Sequence, residues 1–109
     1  MRGYVDVLMT RLNRLPIGLQ QSLQQRRLIK VIAGLTNFER QSVERVSRAG
    51  GRGGADLLDV ACDPELVRLA ADVSGLPICV SAVEPELFPA AVAAGAAMVE
   101  IGNFDAFYA

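Results

Sequence analysis

The sequence predicts an α/β domain of parallel strands joined by helices, and three observations carry that prediction. Short apolar runs begin near positions 28, 57, 78 and 98. The first three are each followed by a stretch with a helix-start signal or a helical spacing of apolar residues. The connections between them are short, which implies parallel strands joined by right-handed crossovers. Both a doubly wound sheet and a (βα)8 barrel begin in this way. With 109 residues, 51% of them hydrophobic and 21% charged, the chain has material for one packed core.

Residues 1–27 stand apart from this pattern. They carry Arg2, Arg11, Arg14, Arg26 and Arg27 against a single acid, Asp6. Val5, Leu8, Leu12 and Leu15 share one helical face, Pro16-Ile17-Gly18 interrupts it, and Leu19 and Leu23 resume it. This is an N-terminal amphipathic helical segment of one or two short helices. A lid on the base of the following domain is preferred over a transit peptide, because serine is scarce and no small-residue cleavage site is present. It is also preferred over a membrane-surface helix.

The domain proper is expected over 28–109. Its first strand spans 28–34, within Leu28-Ile29-Lys30-Val31-Ile32-Ala33-Gly34. Thr36 and Glu39 fit a capping box, a hydroxyl at the N-cap with a carboxylate three residues on. The helix they start is expected to run to about Ala49, with Val43 and Val46 on its buried side. Gly50-Gly51-Arg52-Gly53-Gly54 is expected to end it as a tight turn with glycines in left-handed conformations. This run matches neither GxGxxG nor the P-loop pattern and follows a helix instead of preceding one, so a phosphate loop is rejected.

The second strand is expected over 55–61, ADLLDVA. Asp63-Pro64-Glu65 then offers an N-cap acceptor, proline at the first helical position and an acid in the first turn. Leu66, Leu69, Ala70 and Val73 form the buried stripe of that helix, and Gly75 stops it. The third strand spans 77–83. Glu84-Pro85-Glu86-Leu87 echoes the previous helix start, although Pro89 moves the start of regular helix toward itself. The alanine-rich stretch closes at Gly95, and the fourth strand spans 98–103.

Alternation along these strands sorts the residues onto two faces. Ile29, Val31, Leu58, Val60, Ile78, Val80, Val99 and Ile101 are expected to face helices. The opposite face then holds Lys30, Asp59, Ser81 and Glu100, one polar group from each strand. A doubly wound sheet is apolar on both faces, whereas the interior of a barrel takes charged groups toward its carboxyl end. Parity therefore favours the barrel. The charges must pair, because an isolated buried charge is too costly.

Two readings of that face follow. In one, Lys30, Asp59 and Glu100 form a satisfied ion network without chemistry. In the other they are catalytic groups at the barrel mouth. Lys30 would then hold an anionic group or polarise a carbonyl, and Asp59 or Glu100 would act as acid/base. Ser81 would donate a hydrogen bond, with Asn37, Glu84 and Asn103 as rim groups for substrate. A Schiff base at Lys30 is not expected, since nothing marks its amine as easily deprotonated.

Other function classes fall away on composition. Eleven basic and twelve acidic residues give a net charge of -1, which carries no general attraction for nucleic acid. The chain has no histidine, so neither a Ser-His-Asp device nor a His-ligated zinc site is available within it. No metal site is expected and no cofactor is indicated. Cys62 and Cys79 lack CxxC spacing and read as reduced buried thiols. No apolar run approaches the ~20 residues needed to span a bilayer.

The stretches LIKVIAGLTNFE, GGADLLDVACDPELV, LPICVSAVEPELF and GAAMVEIGNFDAFY resemble the uncharacterised reading-frame family of cyanobacteria and plastid genomes. This Ycf-type domain of unknown function has a predicted aldolase-type TIM barrel. The resemblance covers 28–109 and implies a fold and a compartment, cytoplasmic in cyanobacteria or the plastid stroma, but no activity. It also implies the first four β-α units of a TIM (βα)8 barrel, a half-barrel, because the family's chains are roughly twice this length. Four strands cannot close the sheet, so self-association is expected. A small anionic metabolite is the expected ligand. A non-catalytic regulatory or interaction protein, or an inactive truncated half-barrel, is the alternative.

Overall fold

The computed structural model describes residues 13–102. Their elements run in the order α1 (Ile17–Gln24), β1 (Lys30–Ile32), α2 (Arg40–Arg52), β2 (Leu57–Ala61), α3 (Pro64–Ser74), β3 (Ile78–Ala82), a 3-10 turn (Pro85–Leu87), α4 (Phe88–Ala93) and β4 (Met98–Ile101). All strands pair in parallel in one sheet of order β1-β2-β3-β4. That is the α/β repeat expected from the sequence, with an N-terminal helix before it.

The pleat sorts the faces as the alternation requires, although Ile29, Val99 and Ile101, expected to face helices, lie exposed at the two edges of the sheet. Leu58, Val60, Ile78 and Val80 join Val43 of α2, Leu66, Val67 and Ala70 of α3, and Ala91 of α4 in the main core, with Val31 packed against it. The helices that follow the first three strands therefore cover one face. On the other face Leu57 and Cys79 pack with Leu19 of α1, and Leu15, Leu23, Leu28 and Met98 border them. Thus α1 closes the amino-terminal end of the inner face, as a lid on its base.

What holds α1 there is a side chain that no local sequence pattern marks. The Asp56 carboxylate, just before β2, accepts from the Ser22 hydroxyl at 2.9 Å and from the Ile29 N–H at 2.8 Å. These hydrogen bonds hold its carboxyl below the usual carboxylate range. One side chain thus ties α1, the approach to β1 and the start of β2 together.

Helix α3 starts as its sequence predicts. Asp63 Oδ1 accepts from the Glu65 N–H at 2.8 Å, Pro64 opens the helix, and Gly75 closes it with φ of 68°. The start of α2 differs. The helix begins at Arg40, and neither Thr36 nor Glu39 makes a capping-box hydrogen bond. Asn37 organises the turn instead: its Oδ1 accepts from the Glu39 N–H at 3.3 Å, while its Nδ2 donates to Ala33 O and Ser42 Oγ. An Asx side chain bridging its own loop competes with the cap three residues on.

The glycine run is corrected as well. Gly50, Gly51 and Arg52 form the last turn of α2, and within the run only Gly54 has a positive φ, 77°. A Cβ on Gly51 would lie 2.7 Å from the backbone oxygen of Ser74 in α3. Gly51 allows the two helices to touch, a demand that local turn chemistry does not reveal. Before α4, the 3-10 turn takes up Pro85, and regular helix begins at Phe88, one residue before Pro89.

Replacing Gly51 by alanine is expected to lower stability by about 1–3 kcal/mol through overpacking, despite alanine's better helix propensity. Gly18→Ala in α1 meets no atom within 4 Å and is expected to be neutral or stabilising by up to about 1 kcal/mol. Thermal denaturation of the two variants beside the parent checks the contrast.

Candidate functional site

The inner face of the sheet changes character along its length, from Leu57, Cys79 and Met98 at the base to a connected polar row above them. Each strand contributes one member: Lys30 from β1, Asp59 from β2, Ser81 from β3 and Glu100 from β4. Parallel pairing brings Ser81 into register with Glu100 and puts Asp59 two residues before the register partner of Ser81. Their side chains meet above the strands.

Asp59 lies at the centre and is 4% exposed. The Ser81 hydroxyl is shared between its two oxygens, at 2.8 and 2.9 Å. Lys30 Nζ stands 3.8 Å from Asp59 Oδ2 and donates to Glu100 Oε2 at 2.9 Å. Ser81 Oγ is also 3.5 Å from Glu100 Oε2. The three charged residues that alternation placed on one face are thus brought into a single network.

The electrostatics divide the network into unequal parts. Burial pushes the Asp59 carboxyl above its ordinary range, opposed by the Ser81 hydrogen bond and the Lys30 charge. The hydrogen bond to Glu100 raises the Lys30 ammonium above its usual value, so this amine stays protonated. The same bond holds the Glu100 carboxyl down. A raised lysine is the reverse of what Schiff-base chemistry needs.

Beside this row, at the carboxyl ends of β1–β3, lies a cleft of about 350 Å³. Leu35, Phe38 and Leu87 make its apolar walls, Thr36 and Glu84 stand among them, and Ser81 belongs to both the cleft and the polar row. Phe38 and Leu87 are exposed, 56% and 42%. Of the remaining rim groups expected from sequence, Asn37 has its amide engaged within the β1–α2 loop, and Asn103 lies outside the described residues.

One further combination was not expected: Asp59, Cys79 and Glu100 offer ligand atoms all within 4.8 Å of one another. Cys79 is a buried thiol whose pKa is pushed up to about 12 by burial and by the Asp59 charge. A metal there would have to displace the Lys30 ammonium and deprotonate that thiol, so the donor set suits a protonated amine better than a metal ion. Cys62, the other thiol, is buried and free, and donates to Leu87 O at 3.3 Å.

Residues 13–109 match the family model described as Protein of unknown function (DUF561). The chain belongs to this family. Among its relatives, the "Uncharacterized protein ycf23" of Cyanophora paradoxa is 48% identical over 87 residues, covering 79% of this chain and 36% of the relative. The protein of the same name from Antithamnion sp. is 41% identical over 90 residues, 83% of this chain and 32% of the relative. That from Cyanidium caldarium is 38% identical over 86 residues, 79% and 34% respectively. The DUF561 chain therefore spans about a third of the length of these curated relatives, less than the half that the resemblance implied. No solved structure matches it significantly. No helix among the described residues is long and apolar enough to cross a membrane.

The two aspartates give a test by opposite signs. Asp59 has a raised folded value, so its contribution to stability is complete below 3.8 and is lost as pH rises through that folded value. Asp56 has a lowered one, so its contribution is present above 3.8 and is lost as pH falls through its folded value. Carbon NMR of the side-chain carboxyls is expected to show Asp59 titrating above 3.8 and Asp56 below it; the reverse order would discount the burial argument.

Proposed function

We propose that this chain supplies the first four β-α units of an aldolase-type barrel, and that its strand carboxyl ends take a small anionic metabolite. The observation that carries the reading is the convergence of one polar side chain from every strand into one network, whose Ser81 also lines an open apolar cleft. Sequential strand order supports the barrel, since a doubly wound sheet reverses its order at a switch point and none occurs among the described strands. Helices α2–α4 on a single face support it too.

In this reading the ligand's anionic oxygen replaces the Glu100 carboxylate at Lys30. Glu100 sits on the last described strand with its side chain 50% exposed, and so is free to swing outward. Lys30 then acts through its charge and not as a nucleophile. Asp59, whose proton is held more firmly than usual, transfers a proton to or from the bound group, with Ser81 orienting the carboxyl. The ligand's apolar part lies against Leu35, Phe38 and Leu87, and Glu84 limits how much negative charge the rim accepts. The family resemblance supports the cyanobacterial cytoplasm or the plastid stroma as the compartment.

A second reading, a non-catalytic regulator that binds a metabolite, has one observation in its favour. Every buried side-chain nitrogen and oxygen among the described residues already has a hydrogen-bond partner. Such a network is stable without a substrate.

A panel of phosphorylated and carboxylated metabolites tested by thermal shift is expected to contain a ligand that stabilises the protein. Lys30→Met should weaken that ligand at least tenfold, about 1.4 kcal/mol. Glu100→Gln should bind it as well as the parent or better, because the competing carboxylate is removed. Asp59→Asn should bind it but abolish turnover in the catalytic case. Equal binding by the parent and the Lys30→Met variant would end the proposal. Lys30-dependent binding without turnover of any member would favour the regulator.

A further inference from the structure

Among the described strands, β1 and β4 each have one side that pairs with nothing. Open parallel edges of this kind invite pairing with another chain. Both edges also expose apolar side chains on the helix-facing side, Ile29 next to β1 at 59%, and Val99 and Ile101 on β4 at 45% and 65%. Ile29 borders an apolar groove of about 180 Å³ along the end of α2, lined by Val31, Ala49, Gly50, Gly53 and Ala55.

The register decides what those edges fit. Ile32 pairs with Asp59, so position 34 falls level with Ala61; Ala61 pairs with Ser81, and Ser81 with Glu100. The register row of Glu100 therefore meets β1 at Gly34, four residues beyond Lys30. Yet the Lys30 ammonium touches the Glu100 carboxylate at 2.9 Å. The row of touching polar side chains thus climbs about four residues between β1 and β4. An eight-stranded barrel of shear 8 closes after a stagger of about eight residues, or about four for each half. A two-fold axis along the barrel also keeps all strands parallel.

We propose that two copies of this chain close an eight-stranded parallel barrel, β4 of each pairing with β1 of the other. The inference rests on the barrel reading above. In that arrangement Glu100 falls in register with Lys30 of the second copy, opposite charges at each seam. Val99 falls beside Ile29 of the second copy, and Ile101 beside its Val31, so the exposed outer-face residues cover one another. The candidate site is then composite, because each Glu100 lies between its own Lys30 and that of the other copy. Further β-α units of a longer family chain would compete for the same edges.

Light scattering on the 109-residue chain is expected to give twice 11.7 kDa. The double variant Ile29→Cys/Val99→Cys should form a covalent dimer on oxidation, while either single variant should not, since the two positions meet only across the seam. Cys62 and Cys79 are buried and free and do not interfere. Ile101→Arg should return the chain to the monomer mass. A dimer in which the double variant fails to cross-link overturns the proposed pairing. A monomer that binds an apolar dye strongly overturns the dimer but leaves the barrel reading, with further β-α units as the occupant. A dye-silent monomer that melts cooperatively overturns both.

Discussion

A carboxylate at the centre of the sheet constrains everything around it. Asp59 is 4% exposed, and a charge so placed is costly unless hydrogen bonds and an opposite charge compensate it. Ser81 supplies the first from β3 and Lys30 the second from β1. Lys30 in turn is held by Glu100 from β4. Removing any one of these leaves a polar group on the inner face without its partner. The register is tied to this chain of dependencies, because a one-residue slip of any strand would turn its polar member toward the helices.

The inner face is divided lengthwise between an apolar floor and a polar row. At its amino-terminal end it is an apolar floor, closed by α1 and fastened by Asp56 to Ser22 and Ile29. At the other end it is polar and opens beside an apolar cleft. In parallel α/β folds, residues at the carboxyl ends of strands are free to serve ligands because the opposite end carries the packing. The polar row stands between the two regions. On the proposed function, a network satisfied within itself exchanges one partner, Glu100, for a ligand.

The legible parts of the fold were those governed by short-range rules. The period of two along a strand placed Lys30, Asp59, Ser81 and Glu100 on one face, and the contacts among them bear that placement out. Asp63 read correctly as a cap because the acceptor, the proline and the following acid act within one turn. Thr36 did not, since Asn37 beside it had a competing use for its own amide. Gly51 looked like turn chemistry, yet its cause is the backbone of Ser74, 23 positions away. Asp56 gave no signal at all: an acid before a strand is ordinary, and its meaning depends on a helix more than thirty residues earlier.

By itself the sequence determined the α/β class, the four strands and which side of β1, β2 and β3 meets helices, because alternation and helical spacing are local properties of the chain. The tertiary structure decided which groups touch. Lys30 bonds Glu100 at 2.9 Å and stands 3.8 Å from Asp59, a choice made by strand stagger across the sheet. It also decided which carboxyl is pushed upward by burial and which is left half in water. Those outcomes depend on distances between residues as far apart as 30 and 100, and no local pattern encodes them.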